Sequence, residues 1–101
     1  MSNSLLTNPI VLDSALPSFK AAVASTLGVQ FTLVVTRLQW ATPGASHTLT
    51  ITDPASGTVL AQLDSDASSA DVEMDWTAYP RIWDNFSIGA PAAGKLYVYL
   101  R

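Results

Sequence analysis

No cysteine occurs among the 101 residues. That absence excludes a disulfide framework, a thiolate metal site and a cysteine nucleophile, so the fold must rest on packing alone. Charge is scarce as well: Asp, Glu, Lys and Arg make up 13% of the chain, about half the roughly 25% of an average domain. Eight acidic against five basic residues give a net charge of −3, which removes the attraction that dominates nucleic-acid affinity; DNA and RNA are not expected partners. No apolar run approaches membrane-spanning length, and a membrane partner is not expected either. The single histidine, His47, has Asp53 as its nearest acid in sequence. Neither a histidine metal cluster nor a catalytic triad can be assembled from local motifs, and there is no nucleophile-elbow sequence. The expectation is a protein that is not an enzyme, with no catalytic residue, cofactor or metal.

What is abundant is apolar and β-branched sequence. Apolar residues are 49% of the chain, and a chain of this length buries roughly 60 to 65% of its extended surface, enough for one core. Val29 to Trp40, VQFTLVVTRLQW, is the longest β-branched run without Pro or Gly and reads as the central strand. Its alternation changes phase: Val29, Phe31, Leu33 and Val35 are apolar on odd positions, then Val34, Leu38 and Trp40 on even ones. One reading is a β-bulge near Val34 to Thr36 that swaps the faces; the other is a first half covered on both sides. The second is preferred. It points Val34, Thr36, Leu38 and Trp40 into the core and leaves Leu33 and Val35 beneath an N-terminal segment or a partner.

Around this strand the chain divides into a flexible arm, residues 1–8, and one domain, residues 9–101. Asn8-Pro9 opens a short edge strand at Ile10 to Leu12, since proline fits where no ladder donor is required. Phe19, Val23 and Leu27 have helical spacing between a Ser18 cap and the Gly28 stop, giving one short helix over 18–27; a strand is the alternative. Strands are then expected at Ser46 to Thr52, at Thr58 to Leu63 with Leu60 near Ile51, at Val72 to Trp76, from Ile82 to Gly89, and at Lys95 to Arg101. Between the first two, Asp53-Pro54-Ala55-Ser56-Gly57 places proline and a left-handed glycine as a four-residue loop requires. About seven strands with turns every ten residues or so describe an all-β fold, an antiparallel β-sandwich or small jelly roll.

Several groups invite a chemical reading. Asp64-Ser65-Asp66-Ala67-Ser68 begins like a calcium loop, but Ser69 stands where glycine is wanted and Asp75 where a bidentate glutamate is wanted, so it reads as a hydrated loop. Asp71, Glu73 and Asp75 share one strand face, alternate residues being roughly 6 to 7 Å apart. They read as a solvated stripe or as the complement of a partner's basic patch. Trp83, Tyr97 and Tyr99 fall out of phase with their aliphatic neighbours, so they are expected to be exposed or covered by a partner, as amphipathic aromatics at interfaces are. Asn85-Phe86-Ser87 matches a glycosylation sequon, but the N-terminal sequence has no basic region followed by an apolar core and cleavage site. The expected location is a cytoplasm or a particle assembled in one.

Three stretches carry a family resemblance: Arg37-Leu38-Gln39-Trp40, the hairpin Asp53-Pro54-Ala55-Ser56-Gly57-Thr58-Val59-Leu60, and Gly94-Lys95-Leu96-Tyr97-Val98-Tyr99-Leu100. From Thr36 to Arg101 the chain resembles small phage virion proteins, the β-sandwich capsid decoration or cement proteins; Ala15 to Leu27 has no counterpart in that pattern. The resemblance implies a structural virion protein on the outside of a phage head, often at symmetry axes and sometimes trimeric, stabilising the shell. Its implied partners are the major capsid protein and copies of itself. A surface poor in charge suits coverage by an assembly. The partner-contact candidates are Leu33, Val35, Asp71, Glu73, Asp75, Trp83, Tyr97 and Tyr99. A second reading from the aromatics is a carbohydrate-binding module of a phage tail or fibre, using Trp83, Tyr97 and Tyr99 as a stacking platform.

Overall fold

A computed structural model describes residues 3–5, 7–27, 32–42, 44, 46–65, 71–91 and 93–101, and for 24–27 the backbone only. The protein is all-β with one short helix. The elements are β1 (Ile10–Leu12), α1 (Phe19–Leu27), β2 (Leu33–Ala41), β3 (Thr48–Thr52), β4 (Val59–Asp64), β5 (Val72–Asp75), β6 (Arg81–Trp83), β7 (Ser87–Ile88) and β8 (Lys95–Leu100). They form two antiparallel sheets. The five-stranded sheet runs β1-β8-β2-β5, with β6 also on β2; the three-stranded sheet runs β4-β3-β7. One hydrophobic cluster joins them, containing Ile10, Leu38, Trp40, Leu96 and Val98 from the larger sheet and Leu49, Ile51, Leu63 and Ile88 from the smaller.

β2 is central, as its composition predicts, with β8 on one side and β5 and β6 on the other. Its phase change is a bulge. Val35 pairs with Leu100 and Arg37 with Tyr99, so Thr36 is one residue too many for its partner strand. The extra residue reverses which positions face inward: Leu33 and Val35 are buried before it, Leu38 and Trp40 after it, all in the same core. This corrects the reading of a second covered face, which set Leu33 and Val35 beneath an N-terminal segment or a partner. Thr36 and Val34, expected inside, are half-buried, and the Thr36 carbonyl accepts from the Trp76 amide at 2.7 Å. Val29 to Phe31 lie outside the described residues.

A second bulge sits in the β3–β4 hairpin. Ile51 pairs with Ala61 and Thr52 with Val59, so Leu60, expected opposite Ile51, is the extra residue. The turn itself is as read: Gly57 has φ +76°, and its amide donates to the Asp53 carbonyl at 2.7 Å.

The expected strand from Ile82 to Gly89 is two strands in different sheets. Trp83 and Phe86 are both buried, and three residues apart they would face opposite ways along one strand. The chain therefore turns at Asp84 and Asn85, leaving β6 on β2 and taking β7 to β3. Asn85 serves this crossing and the helix together. Its Oδ1 accepts from the amides of Lys20 at 2.8 Å and Phe86 at 2.9 Å, and its Nδ2 donates to Ser18 Oγ at 2.9 Å. Ser18 Oγ accepts from the Ala21 amide at 3.2 Å, as a helix cap does. Phe19 stacks on Phe86 with centroids 5.1 Å apart, so the helix is fastened at its N-terminus by the β6–β7 turn. Helical spacing there is correct for Phe19 and Val23, both buried.

The described residues before Pro9, expected as a free arm, are hydrogen-bonded to the domain. Ser4 and Val11 exchange backbone bonds of 2.8 and 2.9 Å. Asn3 Oδ1 accepts from the amides of Asp13 and Ser14 at 2.9 and 3.1 Å. The Asn8 side chain accepts from the Leu100 amide at 2.9 Å and donates to its carbonyl at 3.0 Å.

Candidate interaction face of the five-stranded sheet

With Leu12, Leu38, Leu96 and Val98 directed into the core, strand alternation puts their neighbours on the opposite side of the larger sheet. The register arranges them in rows. One row reads Val11, Tyr97, Gln39, Glu73 and the next Tyr99, Arg37, Asp75. Tyr97 and Tyr99 therefore stand beside the acidic stripe, and five of the sequence-predicted contact residues, Asp71, Glu73, Asp75, Tyr97 and Tyr99, come together on one side of the molecule.

The face is internally bonded. The Arg37 guanidinium lies 4.1 Å over the Tyr99 ring and 3.8 Å from Glu73 Oε1. Tyr99 Oη donates to Gln39 Oε1 at 3.4 Å, and Gln39 Nε2 donates to Asp71 Oδ2 at 3.2 Å. Asp71 Oδ1 accepts from the Thr42 amide at 3.0 Å. Asp75 Oδ1 accepts from Thr77 Oγ1 at 2.6 Å and the Thr77 amide at 2.9 Å. Those two bonds, hydroxyl first, hold the Asp75 carboxyl below the usual aspartate range, with a smaller pull from Arg37. Exposed pairs of this kind contribute little to stability, so their main effect is to fix where the charges point. Asp71, Glu73 and Asp75 against Arg37 leave 3 − 1 = 2 negative charges among these four residues of the patch.

Three predicted contact residues lie elsewhere. Leu33 and Val35 are in the core, as described. Trp83 is only 4% exposed, its ring 5.5 Å from Phe86 and 6.1 Å from Trp76 between centroids. The residue out of phase is its neighbour Ile82, 70% exposed, because the turn at Asp84 and Asn85 reverses the assignment made for a continuous strand. Ile82 and Tyr79, 86% exposed, went unselected by the sequence reading; the isolated Pro80 before β6 was the available sign that this strand starts anew.

The remaining motifs have local explanations. Backbone groups of His47 bond Ser65, with the His47 amide on Ser65 Oγ at 2.7 Å and the Ser65 amide on the His47 carbonyl at 2.8 Å. The calcium-like stretch runs into residues 66–70, outside the described residues. Among the described residues no three His, Cys, Asp or Glu side chains gather as metal ligands. Asn85 of the sequon is engaged in the helix-capping bonds. The face ends at a groove of about 350 Å³ beside Asn8 and Thr77. Its other end is a larger open cleft of about 690 Å³ lined by Pro91, Ala93, Gly94 and Tyr97. Comparison of the chain with protein-family models, curated proteins and solved structures finds no match.

Proposed function

We propose that the protein is a structural assembly protein of the capsid decoration type, bound to the outside of a phage head through the open face of its five-stranded sheet. The observation that carries this reading is that face. Tyr97, Tyr99 and Arg37 supply amphipathic side chains of the types enriched at protein interfaces. Asp71, Glu73 and Asp75 frame them with unbalanced negative charge suited to a basic patch on the major capsid protein. Each contact is modest, and a lattice of repeated sites adds them through multivalency. The three-aromatic sugar platform has less support, because Trp83 is committed to the core.

Cosedimentation with assembled phage capsids tests the proposal. The protein should pellet with the capsids, less so at high salt because the charges are exposed. The double variant Tyr99→Ala/Glu73→Lys should shift it to the supernatant. Recovery of the unaltered protein in the supernatant at both low and high salt refutes the reading.

A further inference from the structure

The connection from β5 to β6 is exposed in a way that packing does not explain. Tyr79 and Ile82 are the two most exposed large apolar side chains among the described residues, and they belong to one short run, Trp76 to Ile82, that also holds Pro80 and Arg81. A single apolar residue on a surface needs no explanation, but several around one concavity do. Trp76, Tyr79, Pro80 and Arg81 line a groove of about 410 Å³ together with Asp75.

The run is fixed within the fold. The Trp76 amide donates to the Thr36 carbonyl at 2.7 Å, so the bulge of β2 sets where the connection starts, and the Tyr79 amide closes back on the Trp76 carbonyl at 3.1 Å. Between them, Thr77 is tied to Asp75 Oδ1 by its hydroxyl and its amide. The Arg81 guanidinium lies 5.1 Å from the centre of the Trp76 ring. A groove whose walls are already held loses little conformational entropy when it is filled.

This groove is continuous with the outer face of the five-stranded sheet. Asp75 lines both it and the groove beside Asn8 and Thr77. Ahead of the bulge Leu33 and Val35 face the core, so Val34 points outward, and the register sets Ile82 opposite it. The face therefore runs from the acidic stripe and its tyrosines into an apolar end. Trp, Tyr and Arg are the residue types that dominate binding energy at protein interfaces, and all three line this groove.

We infer that the groove is the apolar anchor point of the capsid contact. It takes an apolar side chain from a loop of the major capsid protein that also carries a basic residue, the apolar group lying against Trp76, Tyr79 and Pro80 and the basic one meeting Asp75. The inference rests on the assembly reading and divides the contact in two: the acidic stripe supplies a part that salt screens, the groove and Ile82 a part that it does not.

The test is cosedimentation of the full chain with assembled phage capsids at low salt and at about 1 M salt, where charges are screened beyond about 3 Å. The unaltered protein should pellet at both, less at the higher. Tyr79→Ala and Ile82→Ala, with folding verified from their spectra, should each raise the apparent Kd at least about tenfold at either salt, and the double variant should stay in the supernatant at high salt. Variants that pellet as the unaltered protein does, or pelleting of the unaltered protein at low salt only, overturn this inference and leave the assembly reading standing. No pelleting of the unaltered protein at either salt overturns both. Sedimentation velocity of the free chain should be the same for the unaltered protein and the double variant; self-association lost in the double variant would assign the groove to a second copy and overturn the inference.

Discussion

Gly57 and Gly94 provide a matched pair for separating backbone strain from steric overlap. Both sit in the left-handed region, at φ +76° and +69°. An added Cβ at Gly57 meets nothing within 4 Å, whereas at Gly94 it overlaps the Ala41 carbonyl oxygen and comes within 2.5 Å of that of Thr42. Gly57→Ala should therefore cost only the left-handed penalty, about 1 kcal/mol. Gly94→Ala adds the displacement of a packed backbone, about 1 to 3 kcal/mol more, and pulls on the hydrogen bond from Trp40 Nε1 to the Ala93 carbonyl. For a domain of this size each kcal/mol lowers Tm by about 4 to 8 °C, so urea and thermal unfolding resolve the two. If Gly94→Ala does not fold, asparagine at both sites keeps the comparison open. Asparagine tolerates left-handed backbone yet carries a Cβ, so Gly57→Asn should be close to neutral and Gly94→Asn still severe. Equal losses at the two sites, to within about 0.5 kcal/mol, would falsify the close approach of Gly94 to the end of β2.

Other consequences can be measured on the same preparation. Asn85→Ala removes acceptors from the Lys20 and Phe86 amides and should cost about 1 to 2 kcal/mol, with faster hydrogen exchange at Lys20; unchanged exchange there would show that the helix does not depend on this cap. Trp83→Ala should cost about 3 to 5 kcal/mol as a core truncation, whereas Tyr79→Ala stays within about 0.5 kcal/mol, and denaturant midpoints in the reverse order would put Trp83 back on the surface. Because Asp75 has a lower pKa folded than unfolded, the folded chain binds fewer protons between the two values. Its contribution is complete above the ordinary aspartate pKa of about 4 and disappears as pH falls through the folded value. Carboxyl NMR should show this depression reduced in Thr77→Val but not abolished, because the residue-77 amide and Arg37 remain, and a titration unaltered by that substitution removes the Thr77 hydroxyl as its largest cause.

The sequence made the strands legible where one face is simply buried. Leu49 and Ile51 alternate with threonines, and Leu96 and Val98 with tyrosines, because a half-covered sheet needs one apolar side. It also placed Gly57 in its turn and gathered the acidic stripe on one strand face. Tyr97 and Tyr99 were separable from the core by phase alone. What it left open at Val29 to Trp40, and then resolved the wrong way, was a bulge. One extra residue at Thr36 and a buried second face produce the same letters in one strand, and they differ only in which residues of β8 stand opposite.

The same reasoning accounts for Trp83. In isolation, Ile82 to Gly89 has the composition of one strand, and phase counted along it exposes the tryptophan. The turn at Asp84 and Asn85 resets that count, and it is held by bonds to a helix some 65 residues earlier in the chain. The sequence by itself determined an all-β domain without thiol chemistry and with an acidic, charge-poor surface, since those properties follow from composition and short-range alternation. Only the tertiary structure decided which sheet each short strand joined. It also decided that Leu33, Val35 and Trp83 belong to the core. Each of these depends on long-range register, in which a single inserted residue reverses every side chain beyond it.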